Sequence, residues 1–386
     1  MKGAILKVTE NVANPIINFL EKGLDKKCFD AVLIPVKVPV GNSFAWVLIQ
    51  NKSLLEDANP LPPVMPVQGA KALSSITRMG KTNKKIAAIM RPCEVRAAVE
   101  LSKLEQVNLE NIFLISIDCP GVLPLKDYLE RPEEAMDKFN EILLGACPER
   151  SRRAQNDIEW GNESTRPACQ VCDKFVGTDL GFCQSDLHIG ILGTKDKNIF
   201  LIPNNEKGKS ILNKMDIEAE KSMDNWEKKA KELMEVRKKK KKEVQERLKF
   251  KVMGIDNLLD VFSNCINCHN CRSACPICYC RQCYFESEKM KLPSDDYLMR
   301  AKSKGALRFL PDTLLFHLGR MTHMSLSCVG CGACEDACPM SIDVAQIFSF
   351  VADNSQGLFN YIPGKNAEEP LSLRIYKEDE FHEVET

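Results

Sequence analysis

The chain has 386 residues, 53 basic and 53 acidic side chains, a formal net charge of zero and 44% hydrophobic residues. That length suits about two or three domains, and the even charge argues against nucleic-acid binding through bulk electrostatics. No apolar run reaches the roughly 18–20 residues of a membrane span, and residues 1–7 lack the apolar stretch of a secretory signal.

A cytoplasmic protein is therefore expected, and its 18 cysteines stand in a reducing compartment that disfavours disulfides. In chain order, residues 16–24 have helical spacing, with Gly23 read as the stop. Residues 30–35 and 46–49 read as short buried strands. Residues 86–90, the turn Arg91-Pro92-Cys93-Glu94, the amphipathic stretch 95–104 and residues 112–117 read as strand, helix and strand. Such a crossover implies a parallel sheet. Cys93 and Cys119 follow the carboxyl ends of those two strands, the edge at which open sheets bind ligands. Cys93 also lies near a helix N-terminus, which favours thiolates. Cys169-x2-Cys172 supplies a further pair. Four thiolates from three segments fit one more [4Fe-4S] cluster; zinc, or two unpaired thiols beside a knuckle, fits the same spacing. Cys28, Cys147 and Cys183 stand alone and are read as structural.

Residues 206–252 are rich in lysine and glutamate and include the basic run 237–242. Glu232, Glu235, Glu243 and Glu246 are spaced for helical ion pairs. The segment is read as a solvated helix joining two domains, with docking to an acidic partner as the second reading. Next come Cys265-x2-Cys268-x2-Cys271-x3-Cys275-Pro276 and Cys328-x2-Cys331-x2-Cys334-x3-Cys338-Pro339. Each is a bacterial ferredoxin run, whose fourth cysteine serves the other cluster. One [4Fe-4S] cluster is thus assigned to Cys265, Cys268, Cys271 and Cys338, the other to Cys328, Cys331, Cys334 and Cys275. A zinc ribbon would need only four thiolates.

The 52 residues between Cys275 and Cys328 include an apolar, helical stretch at 314–321. This spacing is similar to the α-helical ferredoxins of succinate dehydrogenase and heterodisulfide reductase subunits, whose task is electron relay. His269, His317 and His323 are read as packing or surface groups. Cys278, Cys280 and Cys283 offer three ligands for a further metal site, without a local fourth. Residues 365–386 are polar and acidic, a tail wrapped on a partner or loosely ordered. No P-loop, GxGxxG fingerprint or GxSxG elbow occurs. The expected fold is an α/β N-terminal domain with a parallel sheet (1–205), a charged helical linker (206–252), a C-terminal α-helical dicluster ferredoxin domain (253–350) and a polar tail (351–386).

Arg91-Pro92-Cys93-Glu94, Asp118-Cys119-Pro120-Gly121, Cys169-x2-Cys172 and the segment 185–190 follow one another in an order that resembles the coenzyme F420 hydrogenase/dehydrogenase beta-subunit family. The dicluster run after that domain, the dense array at Cys278 and the segment Tyr361-Ile362-Pro363-Gly364 are similar to the formate dehydrogenase beta subunits of methanogens. The resemblance implies that the N-terminal half is a flavin domain exchanging a hydride between coenzyme F420 and FAD. A local cluster on Cys93, Cys119, Cys169 and Cys172 would lie beside it. Flavin contacts are then expected around Asn14, Gln68, Gly69, Lys71 and Arg91. Partners implied are a formate dehydrogenase catalytic subunit or heterodisulfide reductase-like subunits. Family members usually carry a glycine pair before the first helix, where this chain has Glu10-Asn11-Val12-Ala13-Asn14-Pro15. That departure points to the alternative, an iron-sulfur wiring adaptor that has lost flavin and F420 chemistry.

Overall fold

A computed structural model describes residues 1–8, 11–39, 42–145, 160–192, 198–290, 292–306, 310 and 312–375. Its centre is an eight-stranded sheet in the order β3-β2-β4-β5-β6-β7-β1-β8. The strands are β1 (Lys2–Lys7), β2 (Ala31–Lys37), β3 (Phe44–Ile49), β4 (Ile86–Met90), β5 (Ile112–Ile117), β6 (Leu187–Gly190), β7 (Asn198–Pro203) and β8 (Lys221–Ser222). Only β2, β4, β5 and β6 run parallel; both flanks are antiparallel. The expected parallel sheet is therefore a mixed one. A long crossover forces β4 and β5 parallel, whereas the few residues between β2 and β3 allow only a hairpin. As the edge strand, β3 is also less buried than expected, with Ala45 and Val47 exposed.

The helix α1 (Ala13–Asp25) covers one face of the sheet; α2 (Gly69–Ile76) and α3 (Pro92–Lys103) cover the other. Along β4 the faces alternate as a strand requires: Ala87 and Ile89 join the first core, and Ile86, Ala88 and Met90 the second. Gly23 does not stop α1. It lies inside the helix against Phe29, and a Cβ there would fall 2.1 Å from the ring. The second core continues from the sheet through Val95 and Val99 of α3 into Phe316, Ile347 and Phe348. The C-terminal segment and the sheet thus share one apolar interior.

The long helix Asp224–Val252 departs from the solvated reading. Trp226, Ala230, Met234 and Arg237 recur every three or four residues and are buried on one face. Lys238, Lys239 and Lys242 remain exposed. From Ile255 onward the described residues form helices and turns without a strand, among them Thr313–Met324 and Val344–Leu358. The expected helix at 314–321 is present within the first of these. Part of the polar tail is fixed: the Tyr361 hydroxyl donates to Glu100 (2.6 Å), as does the Gly364 amide (2.7 Å). Residues 376–386 lie outside the described residues, as does Cys147. Among the described residues no helix is long and apolar enough to cross a membrane.

Candidate functional site

Cys93 is the second residue of α3, and Cys119 follows β5. Cys169 lies on the one-turn helix Pro167–Gln170 and Cys172 just beyond it. The fold brings Cys93 within electrostatic range of Cys119 and Cys172, and Cys119 within range of Cys169 and Cys172. Burial pushes the Cys119 thiol up to about 12, against the pull of the Arg91 guanidinium, and raises Cys93 and Cys169 as well. Buried neutral thiols release their protons when a metal centre supplies positive charge.

Three buried arginines surround this set. Arg91, Arg166 and Arg237 are each 2–3% exposed. Arg166 pairs with Asp336 at 2.7 Å, while Arg237 donates to the Cys172 carbonyl at 3.0 Å and lies 4.4 Å from the Phe175 ring centre. Five of their guanidinium nitrogens have no hydrogen-bond partner among the described residues. Buried cations with unsatisfied donors beside four thiols fit a group that carries negative charge, as a thiolate-ligated cluster does. Sequence reading missed Arg237 because it sits among five lysines; the signal was its helical phase with Trp226, Ala230 and Met234.

The two ferredoxin runs share one backbone path. Asn267 and His269 in the first, and Gly330 and Gly332 in the second, take left-handed conformations with φ of 56°, 59°, 67° and 76°. In both runs these residues immediately precede and follow the second cysteine. The turns wrap the chain so that amides reach sulfur: Asn267 N donates to Cys265 Sγ at 3.4 Å, and the amides of Gly330 and Ala333 bond Cys328 and Cys331. Cys265 and Cys271 come within electrostatic range of each other and of both Cys268 and Cys338. Cys275, Cys328, Cys331 and Cys334 line one small cavity with Met324 and Phe348. Burial raises Cys271 to about 11 and Cys328 to about 12.

The sets adjoin one another. Cys331 of the second run lies in electrostatic range of Cys93, and a Cβ on Gly332 would stand 2.8 Å from that of Ala168. The histidines pack: His317 stacks on Phe262 and His269 on Phe316, each with ring centres 3.9 Å apart. His317 Nε2 also meets Cys265 Sγ at 3.4 Å, a contact the spacing did not announce; burial pushes this imidazole down to about 3, so the ring is neutral. Cys278 turns inward to Cys275, whose hydrogen bond pulls it down to about 6, while Cys280 is exposed. Among the described residues no three His, Cys, Asp or Glu side chains converge as ligands of one metal ion. A cubane spaces its thiolates more widely than a single zinc, whose bonds to sulfur are about 2.3 Å.

The residues expected at a flavin are dispersed. Gln68 caps α2 by accepting from Ala70 N at 2.7 Å. Gly69 N and Arg91 N both donate to the Glu94 carboxylate, at 2.8 and 2.9 Å. Gly69 also packs against Trp46. Lys71 reaches across to the Ser273 carbonyl. Asn14 lines a separate groove with Asn18, Lys37 and Asp57. Gln68, Gly69 and Arg91 thus meet around Glu94, and the other two point elsewhere.

Residues 83–229 match the family model for the C-terminal part of the coenzyme F420 hydrogenase/dehydrogenase beta subunit. Residues 261–342 match a 4Fe-4S dicluster domain. The chain is 28% identical over 370 residues to the F420-dependent formate dehydrogenase subunit beta of Methanocaldococcus jannaschii, covering 91% of this chain and 92% of that relative. It is 29% identical over 373 residues to the F420-dependent formate dehydrogenase 1 subunit beta of Methanococcus maripaludis, covering 91% and 90%. Among solved structures, it resembles a chain of the xenon-derivatised F420-reducing [NiFe] hydrogenase complex of Methanosarcina barkeri, with 14% identity, a TM-score of 0.44 and coverage of 66% and 94%.

Proposed function

Since the chain belongs to the coenzyme F420 hydrogenase/dehydrogenase beta-subunit family, we propose that it is the electron-relay subunit of a multi-subunit oxidoreductase of the F420 and formate dehydrogenase type. Three [4Fe-4S] clusters would bind in a row, on Cys93, Cys119, Cys169 and Cys172, then on Cys275, Cys328, Cys331 and Cys334, then on Cys265, Cys268, Cys271 and Cys338. Bound there, such clusters accept and release single electrons. The observation that carries the reading is the adjacency of the sets, with Cys93 in range of Cys331 and Arg320 bonded to Cys271 in range of Cys275 and Cys334.

The chain's own residues supply placement and charge. α3 holds Cys93 at its first turn and, one turn later, Arg96, which donates to the Val329 carbonyl in the second run at 3.3 Å. Arg166 ties the first set to the second run through Asp336. Distances between sites are thereby set by rigid elements, as electron transfer requires.

Hydride exchange between coenzyme F420 and FAD is the finer reading, and it comes from the F420-dependent relatives. Asn14, Gln68, Gly69, Lys71 and Arg91 do not form one cradle, so no step is assigned to a flavin. That dispersal, with Glu10 to Pro15 where a glycine pair is usual, favours a second reading, a wiring subunit that passes electrons between proteins. In either case the partner would be a formate dehydrogenase catalytic subunit or a heterodisulfide reductase-like protein. Cofactor analysis of protein purified without oxygen discriminates. Flavin released on denaturation, and bleached beforehand by reduced F420, supports the first reading; iron and sulfide without flavin support the second. Stoichiometric zinc with no iron contradicts both. Metal beyond three clusters would point to Cys278, Cys280 and Cys283.

A further inference from the structure

Arg320 lies in the insert between the two ferredoxin runs, a stretch that neither run needs for its ligands. It sits on the helix Thr313–Met324 and is 3% exposed. Its Nη1 donates to Cys271 Sγ at 3.0 Å and its Nη2 to the Cys271 carbonyl at 3.1 Å. The guanidinium stands over the rings of Phe348 and Phe316, 4.7 and 5.6 Å from their centres. Cys271 belongs to the first run, yet the same charge also reaches Cys275 and Cys334, which line the cavity of the second set.

Among the described residues no carboxylate pairs with Arg320, and its Nε has no hydrogen-bond partner. A buried guanidinium without a counter-ion is strongly penalised, and it cannot escape the penalty by losing its proton. Apolar packing alone would be served better by leucine or methionine at this position. Cys278, which hydrogen-bonds the same guanidinium and is held below the ordinary thiol range, supplies part of the balancing charge, and the thiolate-ligated groups on either side supply the rest.

We propose that Arg320 is a positioning residue shared by both ferredoxin clusters, one fixed positive charge that stabilises an added electron on either. This rests on the two-cluster reading above. Cluster potentials follow net charge and hydrogen bonds to sulfur, so a cation between two clusters raises both potentials together. The step from one to the other then stays close to level while both become easier to reduce. A residue serving only the first run would shift one potential and tilt the step.

The test uses holoprotein purified without oxygen, in wild-type form and as Arg320→Gln and Arg320→Lys. Iron and sulfide are counted first, and redox titrations are then followed by electron paramagnetic resonance. In Arg320→Gln the midpoints of both clusters shift downward, and in Arg320→Lys both return toward the wild-type values. A shift confined to one cluster, or unmoved midpoints in Arg320→Gln, overturns the proposal. Should Arg320→Gln lose iron, Arg320→Lys decides: retained iron with near wild-type midpoints supports the shared charge. Lost iron or lowered midpoints in Arg320→Lys overturn it, because the charge is still present. Wild-type protein without two reducible ferredoxin clusters overturns the two-cluster reading and this inference together. Intact wild-type clusters with unmoved variants overturn this inference alone.

Discussion

Arg237 separates a buried functional cation from the lysines around it, and its removal can be worked through. In Arg237→Ala the protein loses the hydrogen bond to the Cys172 carbonyl and the stacking on Phe175. A hydrogen bond involving a charged group is worth about 1.5–3 kcal/mol, and a desolvated cation–π contact about 2 kcal/mol. Against this stands the cost of burying a guanidinium whose Nε and Nη2 have no partner, about 1–3 kcal/mol for each unsatisfied group. Without metal these terms nearly cancel, because burial keeps the neighbouring Cys119 and Cys169 thiols neutral. With a negatively charged cluster in place the penalty is offset, and about 3 kcal/mol of stabilisation is exposed to loss. At about 1.4 kcal/mol per decade, iron release to a chelator should be ~100-fold faster in Arg237→Ala holoprotein than in wild type. The exposed neighbour change Lys238→Ala should leave the rate within about twofold. Equal rates in both variants would refute the argument, as would a larger effect on the metal-free protein than on the holoprotein.

Further predictions address other parts of the molecule. Cys331→Ser should lose one ferredoxin cluster and stop transfer between the first thiol set and the rest; full transfer to an electron-accepting partner in that variant contradicts the proposed order. Gly364→Ala should destabilise the C-terminal strap by about 2 kcal/mol or more, because φ is 76° and a Cβ would fall 2.4 Å from the Arg96 backbone; limited proteolysis should then cleave near residue 364. Trp226→Phe should cost about 1.5–3 kcal/mol in thermal stability, since the indole N–H donates to Asp118 Oδ2 at 2.7 Å. Burial and the bond to Glu100 raise the Tyr361 hydroxyl above its ordinary range. A raised value favours the protonated form in the fold, so this contribution is complete below pH ~10 and is lost as pH climbs beyond it. Protease sensitivity of the tail should therefore rise above pH ~10 in wild type, with a weaker rise in Tyr361→Phe.

The legible parts of the sequence were those with short-range patterns. Strands β4 and β5 were readable at 86–90 and 112–117 because they are apolar on both faces. The antiparallel flanks were not, since β1 pairs with β7 through partners such as Ala4 and Leu201, about two hundred residues apart. Cysteine spacing identified both ferredoxin runs. Only the second advertised its left-handed turns, with Gly330 and Gly332, while Asn267 and His269 concealed the same path. Arg237 and Arg320 were hidden for another reason: nothing in residue type distinguishes a buried guanidinium from an exposed one. Helical phase distinguishes the first, and for the second only the tertiary approach of Cys271 does so. Gln68 and Gly69, expected as flavin contacts, have structural tasks that account for them, a helix cap and close packing on Trp46.

The proposed relay of three clusters meets its most direct test in the iron and sulfide content of protein purified without oxygen, measured beside Cys331→Ser. About twelve iron atoms per chain are predicted for the wild type and about eight for the variant, with matching sulfide. About eight or fewer in the wild type, an unchanged content in the variant, or zinc in place of iron, would contradict the account.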